Sequence, residues 1–172
     1  EVGSRGLGDV YKRQVNNVAT SGMVMSAAIL VGLSRKILDL ATAYTLDRKQ
    51  FGKPIGSFQA VKHMLAQAAI EIEFSKATLY RAAYSLDNDN PLQKLHAAQA
   101  KLQAIDACEM ASRNSMQAHG AMGYTWEMDL HIFIRRGWSY KQVWGNKSLL
   151  ENYIMNQLEK DLPKLGSTYT FL

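Results

Sequence analysis

What the sequence lacks narrows it before any motif is read. One cysteine, Cys108, stands in 172 residues, so neither an internal disulfide framework nor a cysteine-based zinc site can be built. Reduced, cytoplasmic surroundings are the expectation. Cys108 falls at an apolar helical position and reads as a small core residue. Only 3 prolines and 12 glycines punctuate a chain with many Ala, Leu, Met and Gln residues, and that scarcity points to helices. No apolar run approaches the ~20 residues needed to cross a bilayer. The best, Gly22 to Leu33, is interrupted by Ser and Gly, and no membrane span is expected. His63, His96, His119 and His131 fall on different elements. With no His-Glu-x-x-His and no paired Glu-x-x-His, metal chemistry is not expected. No acidic residue occurs between Val15 and Leu38.

What is present is an ordinary globular composition. The chain is 47% apolar and 20% charged, long enough for one domain with a real core and too apolar for disorder. Residues 1–14 have no apolar period. The part ending Asp9-Val10-Tyr11-Lys12-Arg13-Gln14 resembles translated adapter sequence. They are read as a non-native, adapter-like or disordered tail, and 15–172 as the domain. Setting aside Arg5, Lys12, Arg13, Glu1 and Asp9 changes the net charge from +5 to +4. The remaining basic residues are dispersed among acids, Arg135, Arg136 and Lys141 forming only a small patch, so nucleic-acid binding is not expected.

The periodicity predicts an all-α fold. A helix over Val15–Leu46 carries Val24, Ala28, Val31, Ile37, Leu40, Ala41 and Tyr44 on one stripe. A second begins near Ile55 or Ser57, with Val61, Leu65, Ala68, Ile72, Leu79 and Leu86 as its seam. After the turn at Asp87–Pro91, with Pro91 placed in the next first turn, a third runs to about His119. Its buried candidates are Ala98, Leu102, Ile105, Cys108 and Met116. Shorter helices are expected over Asp129–Gln142 and Lys147–Leu162. Long helices with short connections imply an up-down-up-down four-helix bundle with an additional C-terminal helix.

Two segments stand apart from this packing pattern. In Asp47–Gln59, Arg48 and Gln59 flank a Phe-Gly-Lys-Pro-Ile turn, offering a guanidinium and an amide together. The guanidinium fork matches phosphate oxygens bidentately. In Gln117-Ala118-His119-Gly120-Ala121, the glycine lets backbone approach a flat or charged ligand. Gly120-x-x-Gly123 alone is too short for a dinucleotide fingerprint and reads as a helix C-cap. Together the two segments point to a phosphate-bearing cofactor.

At these residues the sequence resembles the C-terminal helical domain of the acyl-CoA dehydrogenase family. Residues 47–59 are similar to that family's Arg-x-x-Phe-Gly…Gln signature. Residues 117–124 are similar to its Gln-x-x-Gly-Gly-x-Gly-Tyr segment, with Ala121 replacing one glycine. The likeness covers roughly residues 20–160. It implies a bundle that makes dimer or tetramer contacts, homo- or hetero-oligomeric, within a larger flavoprotein acting on acyl-CoA. It implies FAD as cofactor, with Arg48, Phe51 and Gln59 at the pyrophosphate and adenylate region and Arg48 reaching the FAD of a partner subunit. Gln117, Gly120 and Ala121 would hold the adenosine end. The family's N-terminal helical domain and β-domain are absent from this chain, which therefore reads as a fragment.

The same resemblance exposes a departure. The family's reaction is α,β-dehydrogenation, in which a carboxylate takes the α-proton and the β-hydrogen leaves as hydride. An ungapped comparison from Gly123-Tyr124 puts Arg135 on the family's arginine, Gly145 on the glycine of its Tyr-Glu-Gly-Thr-Ser segment and Trp144 at the usual base position. An indole cannot accept that proton. The alternative family position, on the first helix, corresponds to about Gly22, inside the acid-free stretch. Glu151 lies about two helical turns past Trp144. No catalytic residue is assigned. A base-lacking subunit working with a base-bearing partner is the first expectation. Other flavin chemistry, such as a monooxygenase, is an alternative, as are an unusual base and a purely structural helical subunit.

Overall fold

Five helices account for most of residues 7–160, the part of the chain that the computed structural model describes. They are α1 (Leu7–Asp47), α2 (Gln59–Asp87), α3 (Gln93–His119), α4 (Leu130–Tyr140) and α5 (Lys147–Lys160). The all-α expectation holds, with small differences at element ends. Helix α1 begins at Leu7, inside the segment set aside as a tail, and the side chains of residues 10–18 are exposed. Pro91 lies two residues ahead of α3. There Asn90 caps the entry, its side-chain oxygen accepting the Leu92 amide at 2.8 Å and its carbonyl the Gln93 amide at 2.9 Å. Residues 161–172, including the expected end of the last helix at Leu162, lie outside the described residues.

The topology follows from which residues meet. Between α1 and α3 the partners advance together. Lys94 reaches Asn16 at 3.4 Å, Lys101 reaches Ser26 at 2.8 Å, and Ser115 donates to the Ile37 carbonyl at 3.3 Å. These helices are therefore parallel. Between α2 and α3 the order reverses: Ser85 meets His96 at 2.6 Å, Glu71 meets Gln103 at 3.1 Å, and Asn114 donates to the Met64 carbonyl at 2.7 Å. The fourth position of the bundle is shared. Helix α4 runs down the C-terminal half of α3, where Lys141 pairs with Glu109 at 2.9 Å. Helix α5 continues along its N-terminal half, where Lys147 pairs with Asp106 at 2.5 Å and Lys94 lies over the Tyr153 ring. The turn at residues 141–146 breaks this fourth column in two.

Helix α3 is central and largely buried, which its small residues permit. Ala97, Ala98, Ala100, Ala104, Ala107 and Ala111 are all fully inaccessible. Without long side chains at these positions, the neighbouring helices approach closely. Gly137 serves the same end on α4, since a Cβ there would come within 2.7 Å of the Cys108 sulfur. Burial raises the Cys108 thiol pKa, in keeping with its expected place in the core.

On α1, Val24, Val31, Ile37 and Ala41 are buried as the periodicity predicts, whereas Ala28 is exposed and Ala27 takes the inward place. The apolar pattern misplaced that step because part of the buried stripe is hydroxyl-bearing. Ser26, Ser34 and Thr45 are inaccessible, and their hydroxyls donate back to the carbonyls of Met23, Leu30 and Thr42. By length and composition α1 could cross a membrane, but half of that apolar window is buried inside the bundle. A core helix passes the same test.

The connection α1–α2 also departs from a plain loop. Lys49–Gln50 and Lys53–Pro54 pair as a minimal antiparallel hairpin, followed by a 3₁₀ turn over Ile55–Ser57. Two clusters, around Leu30, Ala104 and Leu150 and around Ile37, Ile72 and Ile134, fill the two halves of the interior. Ile72 is inaccessible in the second of them. Ile72→Ala should destabilise the domain by about 2–5 kcal/mol, read as a lowered midpoint in denaturant unfolding.

Candidate functional site

The up-down-up order brings the C-terminus of α1, the N-terminus of α2 and the C-terminus of α3 to one end of the bundle. Both sequence segments singled out above are therefore neighbours in space. A stacked pair joins them: the rings of Tyr44 and His119 lie 4.3 Å apart at 18°, and the Tyr44 hydroxyl reaches the His119 carbonyl at 3.5 Å.

On the first segment, the Arg48 amide closes α1 on the Tyr44 carbonyl at 2.9 Å, and the Arg48 carbonyl accepts the Ile55 amide at 2.8 Å. The backbone of Arg48 is thus fixed from both sides. Its side chain is exposed and makes no ion pair among the described residues. Phe51 and Gly52 form the two-residue hairpin turn, with φ of 53° and 80°. Two successive positive φ values match the twist of paired strands, but phenylalanine is an uncommon residue for that conformation. The ring nevertheless points outward, 92% exposed, and meets the Phe58 ring edge-on with centroids 6.1 Å apart. Gln59 opens α2 and is exposed, its amide 3.4 Å from the His63 ring.

The second segment ends α3. Gly120 adopts φ 60° and ψ −137°, and its amide closes onto the carbonyls of Met116 and Gln117. The space where its Cβ would stand is open. Gly123 is required for a different reason, because a Cβ there would press on the Met116 sulfur at 2.8 Å. Gln117, Gly120 and Ala121 are all exposed. Between them His119 is buried, its Nδ1 donating to the Ser115 carbonyl at 2.7 Å. That bond leaves Nε2 as an acceptor. It is the one buried side-chain polar atom among the described residues without a partner. Sequence reasoning did not assign His119 a place here. The signal available was its position inside the Gln-Ala-His-Gly-Ala segment.

Trp144 is not at this end. It sits in the turn between α4 and α5, against Gly22 in the first half of α1. Trp144 has φ 61° and Gly145 φ 116°, so two successive residues of this turn are left-handed. The indole lies flat enough on Gly22 that any Cβ at that glycine would overlap the ring. The two positions considered for a carboxylate therefore meet in one contact, and neither carries an acid. The acids on the α3 face next to the turn are already engaged. Glu109 holds Lys141 and Asp106 holds Lys147, the latter pairing raising the Lys147 pKa. Among the described residues, no group of three His, Cys, Asp or Glu side chains gathers as a metal site.

A residue that the sequence reading passed over supports this turn. Lys101, midway along α3, is fully buried. Its ammonium donates to Ser26 Oγ at 2.8 Å, to the Tyr140 carbonyl at 2.7 Å and to the Val143 carbonyl at 2.7 Å. Three donors meet three acceptors, and none of the acceptors is charged. Loss of hydration without a compensating carboxylate lowers its pKa to about 8. The pattern did hold a signal, since Lys101 stands on the same seam as Ala97, Ala104 and Cys108, where an apolar residue would be expected.

These features define a helical-bundle domain with an open, cation-bearing end and a separate, tightly built turn. The acyl-CoA dehydrogenase C-terminal domain matches residues 13–159, and the chain belongs to the acyl-CoA dehydrogenase family. Probable acyl-CoA dehydrogenase YngJ of Bacillus subtilis is 37% identical over 131 residues, covering 75% of this chain and 34% of that protein. The 3-sulfinopropanoyl-CoA desulfinase of Paraburkholderia xenovorans is 30% identical over 158 residues, covering 92% of this chain and 38% of its own. Among solved structures, glutaryl-coenzyme A dehydrogenase with glutaryl-CoA superposes with a TM-score of 0.78 at 33% identity, covering 87% of this chain and 38% of that one. The chain thus spans about a third to two fifths of the length of these relatives.

The lowered pKa of Lys101 fixes the sign of a pH effect. Between about pH 8 and the ordinary lysine value of 10.5, the unfolded chain holds a proton that the folded chain has released. The Lys101 contribution to stability therefore rises with pH across that window and is lost as the pH falls through 8. Urea midpoints at pH 7 and 9.5 should show that rise in the unsubstituted chain, and a flatter dependence in Lys101→Met.

Proposed function

We propose that this chain is the FAD-contacting, oligomer-forming C-terminal domain of an acyl-CoA dehydrogenase-like flavoprotein that supplies no catalytic base of its own and works beside a base-bearing partner. The observation that carries the reading is the contact of Trp144 with Gly22. The family resemblance offers two places for the base, and here they fill one another with an indole and a glycine. Abstraction of an α-proton needs an acceptor within hydrogen-bond reach. Indole has only an N–H to donate, and Asp106 and Glu109 are ion-paired with lysines.

The residues at the other end suit a pyrophosphate-bearing cofactor. Arg48 has a fixed backbone and a guanidinium with no ion-pair partner among the described residues, Gln59 offers an amide, and Gly120 leaves room for close approach of the backbone at Gln117 to Ala121. Phe51, held outward in an unusual conformation, is placed to cover an aromatic face. The unpartnered Nε2 of buried His119 adds an acceptor beside the same loop. FAD, when bound, supplies the two-electron acceptor for the β-hydrogen. Gly22 and Tyr44 are 22 residues apart on α1, roughly 33 Å along its axis. That separation supports Arg48 serving a cofactor of a neighbouring subunit, while Trp144 faces a different site.

A second reading, different chemistry on an acyl-CoA that needs no α-proton base, draws support from the relative named 3-sulfinopropanoyl-CoA desulfinase, which aligns over 92% of this chain. A purely structural subunit has less support, because a scaffold has no use for an unpaired Arg48 or an outward Phe51.

In the full-length protein, Arg48→Ala should weaken retention of FAD by roughly 10- to 100-fold, the worth of a lost charged hydrogen bond of about 1.5–3 kcal/mol, measured by flavin absorbance after purification. Full occupancy in that variant removes Arg48 from the cofactor site. Acyl-CoA oxidation by the homomer with an artificial electron acceptor should be negligible, and Trp144→Glu should raise it by an order of magnitude or more, within the range a positioned base contributes. Brisk oxidation by the unsubstituted homomer overturns the base-lacking reading. Turnover of an acyl-CoA without α,β-desaturation favours the second reading.

A further inference from the structure

We propose that Lys101 is the positioning residue for Trp144: by donating to Ser26, Tyr140 and Val143 at once, it fixes the turn between α4 and α5 against α1 and holds the indole on Gly22. Burying an ammonium among alanines is unfavourable beside an apolar side chain of the same length, so bulk alone does not account for a lysine here. Its acceptors define what it does instead. One is a hydroxyl on α1, one is the carbonyl of the last residue of α4, where the helix leaves partial negative charge, and one is the Val143 carbonyl in the turn itself. In a continuing helix the Tyr140 carbonyl would accept the Trp144 amide. The chain turns away there, and Lys101 takes the place of that donor.

The turn needs such a clamp. Trp144 is a bulky residue at φ 61°, followed by Gly145 at φ 116°. Left-handed conformation at a non-glycine residue costs about 1–2 kcal/mol and persists where surrounding contacts over-determine it. The partly exposed pairs Lys141–Glu109 and Lys147–Asp106 flank the turn, but partly solvated pairs contribute little. Lys101 is the fully buried tether among these three lysines. Its acceptor Ser26 lies one helical turn beyond Gly22, so the clamp and the seat of the ring occupy adjacent places on one face of α1. Ser26 is itself held, its hydroxyl donating to the Met23 carbonyl at 3.0 Å.

The test uses the 172-residue chain with Trp126→Phe and Trp138→Phe, which leaves Trp144 as the sole indole. Both replaced residues are largely exposed. At pH 7, Lys101→Met should shift Trp144 emission to the red and raise acrylamide quenching toward the value of free tryptophan. Trypsin should also cut faster after Lys141 and Lys147. Ser26→Ala, which removes one acceptor of three, should give the same shift in smaller measure. Ile72→Val, a core substitution in the other cluster, should lower the thermal midpoint and leave emission unchanged. That control separates positioning from general loss of stability. Unchanged emission and quenching in folded Lys101→Met overturns the proposal. Should that variant not fold, unchanged spectra in both Lys101→Gln and Ser26→Ala overturn it equally. The readout needs neither flavin nor substrate, so its outcome is independent of the proposed function.

Discussion

A single ammonium group, buried midway along α3 and shared among three neutral oxygens, sets the geometry on which much of this domain turns. Lys101 lies where α1, α3 and the break between α4 and α5 come together. Its three bonds run to α1, to the end of α4 and to the turn, so the fourth column of the bundle can be interrupted with the Tyr140 and Val143 carbonyls still paired. The interruption matters because it is what presents Trp144 to α1. A continuous helix would carry residue 144 round in a regular spiral, with no left-handed pair to turn it onto Gly22.

The two halves of α1 then have separate duties. Near its C-terminus, the Tyr44–His119 stack ties the hairpin after Arg48 to the glycine-opened end of α3. In its first half, Gly22 and Ser26 receive the indole and the lysine. On α1 the polar groups buried between these levels are small hydroxyls bonded to their own helix, and they add no charge to the interior. The alanines of α3 keep the helices close along the whole length. The result is a bundle that holds the Arg48 end and the Trp144 turn apart along α1.

Much of the fold was legible because three long segments carry a strong helical period, and Gly, Pro and Asn mark their ends. The central burial of α3 was less so, since alanine is compatible with surface and core alike. Ala28 was misplaced by one step because Ser26 and Ser34, polar by composition, belong to the buried face. Of the site, Arg48, Gln59, Gln117 and Gly120 stood out through residue type and spacing, and the fold gathers both segments at one end. Trp144 stood out only against the family pattern. Its contact with Gly22 joins positions 122 residues apart, which no local period encodes. Lys101 could not be read as a clamp, because two of its three partners are backbone carbonyls and carry no side-chain signature.

The packing of the indole on a glycine has a consequence for how this region can vary. Any side chain at position 22 collides with the ring, and any smaller side chain at position 144 uncovers bare helix backbone. Neither position can change freely while the other stays as it is. The pair behaves as one character, and a sequence that places an acid at position 22 must give up the tryptophan in the same step.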